Sequence, residues 1–128
     1  MALLTAAEIL AAEDVRLEKV SVPEWNGDVY VRNLTGRALD AYQFSLADDK
    51  GELDFTDRRA KLLARCLCDD KGKRLFNEQQ IEALSGKSAD VLVRLFDIAE
   101  KHNKLDKESR EAIAKNSAAT SDSASPTA

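Results

Sequence analysis

The spacing of apolar positions changes along this 128-residue chain, and each change marks an expected element. Thr5-Ala6-Ala7-Glu8 has the spacing of a capping box, which predicts a short helix through about Ala12. From Val15 the period becomes two. Val15 and Leu17 alternate with polar neighbours, and the phase then shifts to Val20 and Val22. Across Pro23-Glu24-Trp25-Asn26-Gly27 the chain should turn, because Asn-Gly readily takes the positive φ values of a tight hairpin. Asp28 to Arg32 then returns as a second strand, with Val29 and Val31 on one face and Tyr30 and Arg32 on the other. A hairpin alone is marginal in water, so one face must pack on something, and helix is the material at hand.

The rest of the chain reads as helix. Thr35 caps a segment from about Gly36 to Leu46, with Leu39, Tyr42 and Leu46 on one stripe. After a polar break at Asp48-Asp49-Lys50-Gly51, Thr56 caps a helix whose Ala60, Leu63, Ala64 and Leu67 share a face. Arg58, Lys61 and Arg65 fall nearly opposite and make a basic outer stripe. Asp69 to Gly72 is a turn, Arg74 to Phe76 a short extended piece, and Asn77 caps a helix over 78–84 that Gly86 ends. Ser88 opens the most regular helix, to about Lys104, with Val91, Leu92, Leu95, Phe96, Ile98 and Ala99 as its apolar face. A last stretch, Lys107 to Lys115, offers only Ala112 and Ile113 as inward candidates. Residues 117–128 are Ala, Ser, Thr or Pro except Asp122. Nothing there offsets an ordering entropy of about 1–2 kcal/mol per residue, so they read as a flexible tail.

Composition narrows the class. Leu, Ile, Val and Phe supply 31 of the 128 residues, above the roughly one fifth below which a charged chain stays unfolded. A net charge of −4 with bases scattered throughout gives no large attractive field for DNA or RNA. No apolar run exceeds four residues, against roughly 20 needed to cross a bilayer, so no membrane is expected. The start has neither a basic segment nor a long apolar one and reads as no secretory signal. Cys66 and Cys68 lie two apart in a stretch that reads as helix, where they point to separate sides and cannot form a local disulfide. Reduced thiols in a cytosol follow.

Chemistry is scarce. His102, the only histidine, lies in line with Val91, Leu95 and Ile98. A catalytic base would need a nucleophile and an orienting partner, and neither is identifiable. A histidine near a helix end with one nitrogen bonded to backbone accounts for it. Zinc would need four ligands, whereas Cys66-x-Cys68 on a helix splays its sulfurs, so no metal is expected. Ser85-Gly86-Lys87-Ser88 resembles the end of a phosphate-binding loop, yet Ile81 stands where that loop needs glycine. A helix stop followed by a cap explains all four residues. No catalytic residue and no cofactor site emerge. Trp25, beside the hairpin tip, either folds back onto the sheet or stands out as a contact anchor.

The order of these pieces carries a resemblance. A Thr-x-x-Glu-Ile-Leu helix leads to a Val-Pro-Glu-Trp-x-Gly hairpin and then to Val29-Tyr30-Val31-Arg32-Asn33-Leu34-Thr35-Gly36. Ala60 to Leu67, Asp70-x-Gly72, Leu75-Phe76, Ala83-Leu84-x-x-Lys87-Ser88, Leu92-x-x-Leu95-Phe96, Asn103 and Lys115-Asn116-Ser117 follow. Over residues 5–117 the chain resembles the tail assembly chaperones of long-tailed phages. The resemblance implies a non-enzymatic helper in the cytoplasm of the infected bacterium. It would bind the tape measure protein, keep it soluble and help recruit tail tube subunits, and be absent from the finished virion. Many proteins of that family also exist in a longer frameshifted form whose added domain engages the tube protein, and the Ala/Ser tail is compatible with such a junction. Coating a long partner suggests self-association. Candidate contact residues are the apolar face Val91, Leu95 and Ile98, the hairpin with Trp25 and Tyr30, and the basic stripe Arg58, Lys61 and Arg65. The competing classes are a structural head–tail connector or minor virion protein and a nucleic-acid-binding regulator using that stripe. The expected fold is α+β: an N-terminal hairpin or small antiparallel sheet packed on a mostly helical C-terminal half. One chaperone domain should cover residues 1–116, with an Ala/Ser-rich tail over 117–128.

Overall fold

The computed structural model describes residues 2–124, with side chains as far as Lys115. The tail expected over 117–128 therefore lies outside the residues whose side chains are described. Helix α1 (Ala6–Ala11) begins at the expected capping box: the Thr5 hydroxyl accepts from Glu8 N–H at 3.2 Å, and a Glu8 carboxylate oxygen accepts from Thr5 N–H at 2.9 Å. Every residue of α1 is exposed, so this cap orders a helix that the other described residues leave uncovered.

Strands β1 (Leu17–Val22) and β2 (Gly27–Arg32) pair antiparallel, from Leu17 opposite Arg32 to Val22 opposite Gly27. The connection is longer than a two-residue turn. Pro23–Trp25 form a single 3-10 turn, and Asn26 alone takes the left-handed conformation (φ 55°). A two-residue strand, β3 (Leu67–Cys68), then joins the free edge of β2, with Tyr30 opposite Cys68 and Val31 opposite Leu67. This corrects the reading of Cys68 as helical, while Cys66 is in helix as expected. Helix α3 (Arg58–Cys66) ends at Cys66, and Leu67 turns extended (ψ 126°) to enter the sheet. Two residues are too few for a period, so pattern alone cannot reveal such a strand.

Helix α2 (Gly36–Phe44) is capped by Thr35, whose hydroxyl accepts from Ala38 N–H at 3.1 Å, and turns Tyr42 inward. The α3 start differs from expectation: Asp57, not Thr56, occupies the cap position, at φ 56° and with no capping side-chain bond. Asn77 caps as expected, in a reciprocal box with Gln80 that opens a 3-10 turn (Glu78–Gln80) and then α4 (Ile81–Ser85). Helix α5 (Ala89–His102) is long and amphipathic, and α6 (Lys107–Ala124) follows.

Helix α3 lies at the centre. Every residue from Leu62 to Cys68 is buried, which is more than the single apolar face expected. Against it pack Val20, Val22 and Val31 from the inner face of the sheet, Tyr42 from α2, Leu84 from α4, and Val91, Leu92, Leu95, Phe96 and Ala99 from α5. The fold is α+β, a three-stranded antiparallel sheet on a helical body, as the sequence predicts.

Candidate partner-binding surfaces

The expected basic stripe does not exist as an open surface. Arg65 is 6% exposed, and its guanidinium donates to Lys61 O at 2.7 Å and to Glu78 Oε2 at 2.8 Å. Burying a charge is costly unless it is paired, and Glu78 supplies the pair from the turn before α4. Lys61 donates through Nζ to Ser45 O at 2.8 Å. Arg58 stacks over the Phe96 ring at 4.8 Å and the Phe55 ring at 5.5 Å, with Glu100 Oε2 3.5 Å from its Nη2. All three cations are thus engaged within the molecule, Arg65 almost wholly buried and Arg58 and Lys61 part-exposed, so no free basic stripe faces outward.

The apolar face of α5 is also spent. Val91 and Leu95 are fully buried against α3, and Ile98 packs on the same core from a half-buried position. A partner could reach Val91 and Leu95 only by unfolding the domain, so these two are corrected from contact candidates to core. His102 is half-buried. Its Nε2 lies 2.9 Å from Arg16 O and its Nδ1 3.3 Å from Glu18 Oε1, and Arg16 Nη2 donates to His102 O at 3.2 Å. The imidazole thereby ties the end of α5 to the entry of β1.

The two cysteines are free and buried. Burial pushes the Cys66 thiol up to about 12, against a smaller lowering from the Asn103 amide, and raises Cys68 as well. Both are poor nucleophiles and poor metal ligands in this state. Among the described residues no group of three or more His, Cys, Asp or Glu side chains could hold a metal ion, and no helix is long and apolar enough to cross a membrane. The segment Ser85–Ser88 is a helix stop and restart: Gly86 is the C-cap of α4, and Ser85 Oγ donates to Asp57 Oδ1 at 2.7 Å.

Trp25 folds back. It is half-buried, packs on the core, and forms one wall of an open groove of about 370 Å³ with Phe76, Gln80, Ala83, Leu84 and Lys87. The turn that carries it is held to α5 by a two-pronged bond, Arg94 Nη1 and Nη2 donating to Glu24 at 2.8 and 2.9 Å. Those bonds hold the Glu24 carboxyl down at about 2, first through the Arg94 hydrogen bonds and then through the backbone. Tyr30 alternates to the other face of β2 from Val29 and Val31, so the structure does not gather it with Trp25.

Sequence reasoning missed the apolar residues that are in fact uncovered. Phe44, the last residue of α2, is 84% exposed, and Leu53 and Phe55 in the α2–α3 connection are exposed as well. That connection is a small hairpin of its own, with Asp54 N–H donating to Leu46 O and Asp48 N–H to Glu52 O, both at 2.7 Å. Leu3, Leu4, Ile9 and Leu10 in and before α1 are likewise exposed. Isolated apolar residues among polar ones carry no period, and only the absence of a partnering stripe marks them.

A family model described as phage tail assembly chaperone matches residues 5–116. The solved structure of the bacteriophage HK97 tail assembly chaperone shares the fold at a TM-score of 0.54, with 23% identity over 79% of this chain and 92% of that one. No curated protein matches the sequence. From the capping box at Thr5 through the sheet, the buried α3 and the first half of α6, the described fold is the region that the family model spans, and the chain belongs to the phage tail assembly chaperone family.

Proposed function

We propose that this chain binds the tape measure protein during tail assembly, keeps it soluble and helps recruit tail tube subunits around it. The observation that carries the reading is the family match across residues 5–116. A tape measure protein is long, helical and amphipathic, and its bare apolar stripe would aggregate. A binding partner for such a helix needs an apolar groove with a tolerant polar rim. The Trp25 groove has that character, with Phe76, Ala83 and Leu84 as walls and Gln80 and Lys87 at the edge. The exposed Phe44, Leu53 and Phe55 offer further apolar contacts.

The action is binding rather than catalysis: His102 is engaged with backbone, and both thiols are buried and raised by that burial. The site of action is the host cytoplasm, before the virion is complete, with tube subunits engaged through a longer frameshifted form. Trp25 is the only tryptophan, which makes the proposal measurable. Titrating the purified chain with a helical tape measure peptide from the same genome should shift Trp25 emission, and Ala83→Asp, at an exposed position in the groove wall, should weaken binding. Unchanged emission together with no binding by calorimetry contradicts the assignment. A connector or minor virion protein, in contrast, would be present in purified particles by mass spectrometry.

A further inference from the structure

In a chain of net charge −4, four arginines converge on one pocket of about 340 Å³. Arg32 comes from β2, Arg37 from the first turn of α2, Arg65 from α3, and Arg74 from the stretch after β3. Glu78 is the only acid in the lining. Arg65 and Arg74 share it, through Oε2 at 2.8 Å and Oε1 at 3.3 Å. The other bonds of the cluster go to carbonyls, which orient a guanidinium without neutralising it: Arg32 donates to Asn33 O and Gly72 O, and Arg74 Nε to Ala64 O. The pocket therefore keeps three uncompensated positive charges beside an apolar floor of Leu34, Ala38 and Ala41. Guanidinium forks held in place by carbonyls suit carboxylates on an apolar carrier.

Such a carrier lies on the chain itself. Residues 2–13 contain Glu8 and Glu13, no Lys or Arg, and four large apolar residues that no described residue covers, Leu3, Leu4, Ile9 and Leu10. Their helix is already formed by the Thr5–Glu8 capping box, so docking would cost little further ordering. The arm joins the fold at Asn33, between the lining residues Arg32 and Leu34, where Asn33 Nδ2 donates to Asp14 O at 3.1 Å and Asn33 Oδ1 accepts from Arg16 N–H. It then runs fully exposed instead of lying down on its own chain. We infer that residues 2–13 of one copy dock on the four-arginine pocket of a second copy. Two acids and an apolar face then meet an excess of positive charge and an apolar floor. Repeated from copy to copy, the exchange closes a symmetric dimer or extends an array. The inference stands apart from the tape measure reading, which could fail while this one held.

The test is the mass of the full chain in solution by sedimentation velocity, at low and high salt, with circular dichroism as a check on folding. The wild type should self-associate, more weakly at high salt. Arg37→Glu, at the exposed rim of the pocket, and Glu13→Arg should each weaken association about tenfold, and the double variant should recover most of it. A chain lacking residues 2–12 should be monomeric. An excess of a peptide of residues 2–13 should break up the wild-type assembly, which gives a reading without any substitution. A monomeric wild type at every salt concentration overturns the inference, as does association that survives loss of the arm. So does a pocket that binds a DNA oligonucleotide more tightly than the peptide, with Arg37→Glu abolishing the DNA binding.

Discussion

Asn103 shows how much one side chain can close. It stands just past α5, where its Oδ1 accepts from Leu34 N–H at 2.6 Å and its Nδ2 donates to Ala99 O at 3.0 Å and to Arg32 O at 3.3 Å. It joins the end of β2 to the end of α5. Asn103→Ala strands the Leu34 amide, and an unpaired buried donor costs about 1–3 kcal/mol. The urea midpoint should fall accordingly with the slope unchanged. Cys66 gives a second test at this scale. With its thiol raised to about 12 by burial, it should resist a thiol reagent at pH 8 in the native state and react fully on unfolding. Fast labelling of Cys66 in the folded chain contradicts the assignment. What the sequence hid here was pairing. A helical wheel places Arg65 opposite the apolar face, but Glu78, thirteen residues later, folds back to pair it, and the second half of α3 is buried all round.

Among the elements, those with local signals were legible. The Thr5, Thr35 and Asn77 caps each satisfy amides within three residues of themselves, so spacing alone locates them. The hairpin was legible in period and turn composition. Strand β3 was not, because its existence depends on the edge of β2 and not on Leu67 and Cys68 themselves. The bond between Glu24 and Arg94, which fixes the Trp25 turn on α5, joins residues seventy apart and is equally silent in sequence. Its pH dependence is definite in sign. A carboxyl ordinarily near 4.5 is held at about 2 in the folded chain, so its stabilisation is complete above the unfolded value and is lost as pH falls from about 4.5 through about 2. Stability curves of wild type and Glu24→Gln should differ at pH 7, converge across that window and coincide below it. A constant difference across the window contradicts the tie.

For the whole molecule, the α+β architecture followed from the change of period at Arg32 and the long apolar stripe of α5. The surface did not follow. Val91 and Leu95 looked available only because a sequence does not show how much apolar area a core consumes, and α3 consumed theirs. What remained uncovered was the α2–α3 connection, the Trp25 groove and the arm before β1, none of which has a periodic signature. The family accounts for an exposed apolar inventory of that kind: a protein that holds another must keep apolar surface for it. The most direct measurement is co-expression with the tape measure protein of the same genome, scored by the soluble fraction of that partner. The partner should become soluble and co-purify with the wild-type chain, and do so less with Ala83→Asp. A tape measure protein equally insoluble with and without this chain contradicts the proposed function.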